Sequence, residues 1–197
     1  MFNMKALFLR AMLALAMALG ASGAIAGPTY HVTLDTSEWK GTTGYLDLGY
    51  NGPGDAGLAV ARIGNFVGDF FDLPLTYDGA DGDVDTGVTI TNEGGFNFFD
   101  KAVVFGGLLS FDVVLDQLPA DYGMVFSIAL FNDDFSKYLG GDGNLLEISL
   151  LPGVPDAVSV APSAPLDVTA VPEPADWALV VTGLLLIGFT RRAQQRR

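Results

Sequence analysis

The stretch Asp78-Gly79-Ala80-Asp81-Gly82-Asp83-Val84-Asp85-Thr86-Gly87 sets four carboxylates among small residues. A hard cation such as Ca²⁺ takes about six to eight oxygen ligands, and carboxylates at alternate loop positions can converge on one ion while glycine permits the tight path. Asp81, Asp83 and Asp85 have that spacing, and Asp78 offers a further oxygen. The pattern is not an EF-hand. Thr86 stands where that loop needs glycine, Asn92 where it needs a bidentate glutamate, and no helical periodicity flanks it. Two readings stay open, a calcium loop on a β body and a solvated acidic turn.

Other chemistry is thinner. Gly140 to Ile148 (GGDGNLLEI) is similar to the calcium repeat of β-rolls, but Leu145 replaces its aspartate and there is one copy, so it reads as a hairpin turn. Asp133-Asp134 and Asp69 with Asp72 are carboxylate pairs of the kind glycosidases use, yet a body this acidic makes such pairs by chance. Phe66, Phe70, Phe71, Phe96, Phe98 and Phe99 flank the acidic stretch, where exposed rings could stack on sugars; phenylalanine is more commonly core, and sugar-stacking surfaces favour Trp and Tyr. His31 is the single histidine and falls at an outward position of a strand pattern, so a multi-histidine zinc site is excluded. Without any cysteine, thiol chemistry, disulfides and cysteine-ligated metals are excluded too.

The elements that must position these residues are strands. Val32 and Leu34 alternate with His31, Thr33 and Asp35, and Leu46 and Leu48 with Tyr45 and Asp47. The same period of two runs through Leu58–Ile63, Val88–Thr91, Phe98–Phe105, Leu109–Leu115, Phe126–Leu130 and Leu146–Leu150. Glycine-, proline- and aspartate-rich turns separate the runs, which predicts an all-β body: an antiparallel β-sandwich, jelly-roll-like, of about eight to ten strands. Gly106-Gly107 reads as a tight hairpin. From Pro152 onward, Pro155, Pro162 and Pro165 suggest a last edge strand passing into an extended stalk.

Both ends read as addresses. Lys5 and Arg10, an apolar run from Ala11 to Leu19 and the Ala24-Ile25-Ala26 close make a secretory signal peptide cleaved after Ala26. Between Gly27 and Ala170 four basic residues face 21 acidic ones, a net of −17, which argues against nucleic acid and anionic lipid as partners. At the far end come Pro172-Glu173-Pro174, then 14 uncharged residues from Trp177 to Thr190, then Arg191, Arg192, Arg196 and Arg197. A helix crossing the bilayer needs about 20 apolar residues, so the run is short for a permanent anchor, and the arginines would stop transfer and hold the tail in the cytoplasm.

That order resembles the PEP-CTERM sorting segment of bacteria with two membranes. The resemblance implies a membrane-embedded exosortase that reads the triplet and removes the tail, a transient stay in the inner membrane through a short C-terminal helix, and delivery to the cell surface or extracellular matrix. The body opening, YHVTLDTSEWKGTTGYLDLGYNGPG, is similar to a group of PEP-CTERM proteins that has no assigned function. The expected division is a signal peptide at 1–26, a sandwich body at 27–161, an extended linker at 162–171 and the sorting segment at 172–197. The expected function is that of an exported non-enzymatic surface or matrix protein associated with exopolysaccharide. The alternative is a calcium-assisted carbohydrate-binding module.

Overall fold

Extended backbone turns successive side chains to opposite faces, so an alternating run buries one face and wets the other. In β1 (Thr29–Asp35), Tyr30, Val32 and Leu34 are buried while His31 and Asp35 are exposed. The computed structural model describes residues 28–53, 56–73, 78–93, 96–116 and 122–171. The remaining strands are β2 (Thr43–Asn51), β3 (Val60–Val67), β4 (Phe70–Phe71), β5 (Ala80–Asp83), β6 (Gly87–Thr91), β7 (Phe98–Val104), β8 (Leu108–Leu115), β9 (Met124–Asn132), β10 (Leu146–Leu150), β11 (Ala157–Val160) and β12 (Leu166–Val171). Among the described residues the one helical element is a 3-10 turn at Ser37–Trp39, and no helix is long and apolar enough to cross a membrane.

The strands form two six-stranded antiparallel sheets, ordered β12-β1-β8-β3-β6-β5 and β11-β10-β9-β2-β7-β4. Pairing is nested: β1 joins β8, β2 joins β7 and β3 joins β6. Val32, Leu34, Phe111 and Val113 from the first sheet meet Leu46, Leu48, Phe126 and Ile128 from the second in one core, and none of these has any exposed surface. At roughly 25 cal/mol per Å² of apolar area, this layer is the main force holding the sheets together.

All eight alternating runs are strands, and four more strands join them. β5 is Ala-Asp-Gly-Asp and β4 has two residues, so neither shows apolar alternation; both are held by pairing, to β6 and to β7. The expected Gly106-Gly107 hairpin is not one. β7 and β8 lie in different sheets, and Phe105–Gly107 carries the chain across the core between them. The expected linker at 162–171 is also corrected. Leu166–Val171 returns to the first sheet and pairs with β1 from Leu34↔Leu166 to Thr29↔Val171, because Leu166 and Val168 pack against the core and Asp35 N–H donates to the Pro165 carbonyl at 2.8 Å.

Antiparallel pairing sorts the connections to two ends. Among the described residues, 52–53, 56–59, 92–93, 96–97, 116, 122–123 and 151–156 lie at the end where Thr29 and Val171 are paired. Residues 36–42, 105–107, 133–145 and 161–165 lie at the opposite end, with the Val84–Thr86 turn of the β5–β6 hairpin.

One core residue carries a polar cost. Tyr50 is fully buried and its hydroxyl has no hydrogen-bond partner; an orphaned buried polar group costs about 1–3 kcal/mol. Tyr50→Phe keeps the ring and removes the orphan, so it should raise unfolding free energy by about 1 kcal/mol. Urea unfolding at pH 7 measures this, and a loss of stability would show that the hydroxyl is satisfied in solution.

Candidate functional site

One open side of the sandwich, where β4 and β5 are the outermost strands, ends on a charge. Lys101 on β7 shares the inward parity of Phe99 and Val103, and its side chain is 5% exposed. Its Nζ donates to Asp72 Oδ1 at 2.6 Å, just after β4, and to Asp83 Oδ1 at 2.8 Å, at the end of β5. Burial works against this ammonium, but the hydrogen bonds to Asp72 and Asp83 outweigh it and hold the Lys101 pKa above the ordinary range. The same hydrogen bond holds the Asp83 carboxyl below its ordinary range. Lys101 thus clasps one sheet to the other. Both carboxylates reach water, so the clasp contributes closer to the ~1 kcal/mol of an exposed pair than to the ~3–5 kcal/mol lost on breaking a buried one.

This arrangement separates the four carboxylates read from the sequence as calcium ligands. Asp83 is bound by Lys101 and by the Val84 N–H at 2.5 Å. Asp78 sits against the start of β7, where its carbonyl accepts from Phe98 N–H at 3.0 Å. Asp81 pairs across the hairpin with Thr89, and Asp85 falls in the turn that follows. Among the described residues no three His, Asp or Glu side chains come close enough together to hold a metal ion. The three-residue turn closes through Gly87 at φ +93°, a left-handed position suited to glycine.

Around the same edge runs a groove. β3 shifts register against β8 between Gly64 and Val67, and Asn65 in this bulge adopts φ +55°. Bulges re-aim side chains next to sites: here the Asn65 amide donates to Asp112 Oδ2 at 2.7 Å, while the space above Gly64 stays open. A cavity of about 350 Å³ lies over Arg62, Asn65, Thr89 and Asp112. It shares Asn65 and Thr86 with a second of about 400 Å³, which shares Phe66 and Asp85 with a third of about 210 Å³ that reaches Phe70, Asp72 and Lys101. A separate hollow of about 180 Å³ also touches Phe71 and is lined by Tyr45 and Asp133. The groove therefore alternates rings with hydrogen-bonding groups, and three of those rings, Phe66, Phe70 and Phe71, are among those singled out in the sequence.

His31 faces outward as expected, but it is not isolated. Its Nδ1 lies 2.6 Å from Asp112 Oδ1 and its Nε2 3.4 Å from Thr33 Oγ1. β1 is bonded to strands on both sides, so its own amides are unavailable as oxyanion donors to that hydroxyl–imidazole–carboxylate line. The other carboxylate pairs also have structural tasks. Asp134 accepts from Ser136 N–H at 3.0 Å, and Asp72 belongs to Lys101.

The carboxyl pair that sequence reading missed is Asp47 with Asp100, directly opposite each other on β2 and β7. Asp100 is 8% exposed and its Oδ1 has no donor. Burial first, then the Asp47 charge and the hydrogen bond between the two carboxyls, push Asp100 up to about 7; Asp47 is also raised by burial. Nothing in the sequence marks the pair, since each is an ordinary polar position until β2 and β7 are known to be neighbours.

Comparison with family models, with curated proteins and with solved structures returns no match. The signal-cleavage residues Ala24 and Ala26, the Pro172-Glu173-Pro174 triplet and the four tail arginines lie outside the described residues.

The Asp47–Asp100 pair gives stability a pH dependence of definite sign. An acid whose pKa is raised on folding stabilises fully below its unfolded value, here 3.8, and that contribution is lost as pH rises through about 7. Raising pH from 5 to 8.5 should lower the melting temperature of the parent, and Asp100→Asn should flatten that step. Thermal melts across this range measure it; an unchanged slope in the variant would place the proton elsewhere.

Proposed function

We propose that this chain is an exported, non-enzymatic protein of the cell surface or extracellular polysaccharide matrix, sorted through a PEP-CTERM-type segment and processed by an exosortase. The observation that carries the reading is the order at the C-terminus: the Pro172-Glu173-Pro174 triplet, a 14-residue apolar run and then arginines. It is supported by the body. The nested pairing of β1 with β8, β2 with β7 and β3 with β6 suits a jelly-roll-like winding, a stable carrier that needs no disulfide. A run of 14 residues extends only about 21 Å as a helix, which suits a brief stay in the membrane better than a lifetime there. Glu173→Ala should leave export intact and let a membrane-bound precursor accumulate. Mass spectrometry of surface and membrane fractions from a host carrying an exosortase measures this. Surface protein intact through Arg197 would make the segment a permanent anchor and overturn the sorting reading.

A second reading, a calcium-assisted carbohydrate-binding module, is favoured by one feature. The groove around the β4–β5 edge offers Phe66, Phe70 and Phe71 beside Asn65, Asp85 and Thr86, the mixture of flat rings and directed polar groups that sugars bind. On a glycan array this reading expects retention that falls at least tenfold in Phe66→Ala, and EDTA tests the calcium component separately. An array without retained glycan would remove the reading.

A further inference from the structure

We propose that the end of the sandwich where the described body begins and ends, at Thr29 and Val171, is a bilayer-docking tip. The proposal rests on the sorting reading, which puts Trp177–Thr190 in a membrane. Thr29 and Val171 are paired neighbours on β1 and β12, so the segments before and after the body depart from one place. Five residues separate Val171 from Trp177; at about 3.3–3.6 Å per residue the leash spans at most roughly 20 Å. A body held so closely presents this end to the lipid.

The side chains at this end fit that neighbour. Each of its four connections exposes a large apolar or amphipathic residue: Leu58 at 59%, Phe96 at 78%, Tyr122 at 40% and Val154 at 53%. Residues far apart in sequence converge here only through the fold. At the opposite end Leu108 is 62% exposed, but the exposed rings are engaged, Phe135 stacking on Tyr45 at 4.0 Å and Tyr138 lying 4.4 Å from Phe131. The acids near the tip are partly committed, Asp116 to Arg62 and Asp156 to the Tyr30 hydroxyl, while the body as a whole repels anionic surfaces. Contact is therefore by shallow apolar insertion into a zwitterionic interface, where the Tyr122 ring can keep its hydroxyl wet. The tip would seat the Pro172-Glu173-Pro174 triplet at the membrane surface, within reach of an enzyme embedded in it.

The chain has no cysteine, so single labels can be placed without background. The full chain is reconstituted in phosphatidylcholine vesicles carrying lipid-attached quenchers. An environment-sensitive fluorophore is attached at Leu58→Cys, Phe96→Cys or Val154→Cys, and at Asp142→Cys or Ser163→Cys as opposite-end controls. The expected result is quenching of the three tip labels at least threefold above the controls, with matching protection from aqueous iodide. Tip labels as iodide-accessible as the controls, in a chain that still floats with vesicles, would overturn the docking and leave the sorting reading standing. Failure of the full chain to float at all would overturn both. Protection that depends on protein concentration and not on lipid would assign the tip to a second copy, which also overturns the proposal.

Discussion

A body with 21 acidic residues against four basic ones, and no cysteine, has chiefly the apolar contact between its two sheets to set against charge repulsion and chain entropy. That contact is continuous through the middle of the molecule, where Leu46, Leu48, Phe111 and Phe126 are sealed from water. At the flanks, where a two-sheet core must end, polar contacts take over. On one flank Lys101 spans from Asp72 to Asp83. On the other, the Tyr30 hydroxyl donates to Asp156 at 2.8 Å, tying the β1 flank to the approach of β11. Every feature with chemical potential is built on this frame: the groove follows the lysine-clasped flank, and the carboxyl pair lies on the outer face of the second sheet.

Asp83 shows how one carboxylate of an acidic stretch can be paired from within the chain. A loop rich in aspartate attracts a cation, and in this fold one nearby cation is a side chain, Lys101, placed 18 positions after Asp83. The ammonium takes one oxygen from each of two aspartates on different sheets, so it does mechanical work that a solvated ion at the loop tip would not.

What was legible in the sequence follows from what produces a periodic signal. β1, β2, β3 and β6 to β10 were visible because half their side chains enter the core. β5 was not, since Ala-Asp-Gly-Asp has no apolar face and is extended only through its ladder to β6. β11 is exposed along its whole length and was visible only as the edge strand expected after Pro152, and β12 was disguised by Pro162 and Pro165, which serve the turn before it. The site was less legible. The Phe66–Phe71 aromatics were visible as a cluster, but the bulge at Asn65, the Lys101 clasp and the Asp47–Asp100 pair depend on neighbours that only tertiary pairing supplies.

The pairing of Thr29 with Val171 joins residues 142 positions apart in the chain, and this orders events in time. Contacts of long sequence separation form slowly, because loop closure must precede their reward. β1 therefore gains its first neighbour, β8, well before its second, and until β12 arrives it presents an open edge of unsatisfied amides and carbonyls. Of the described strands, the last to be synthesised is the one that covers the first. A body of this design completes itself only when nearly its whole length is available, and the interval before β12 docks is when it is most open to pairing with another chain.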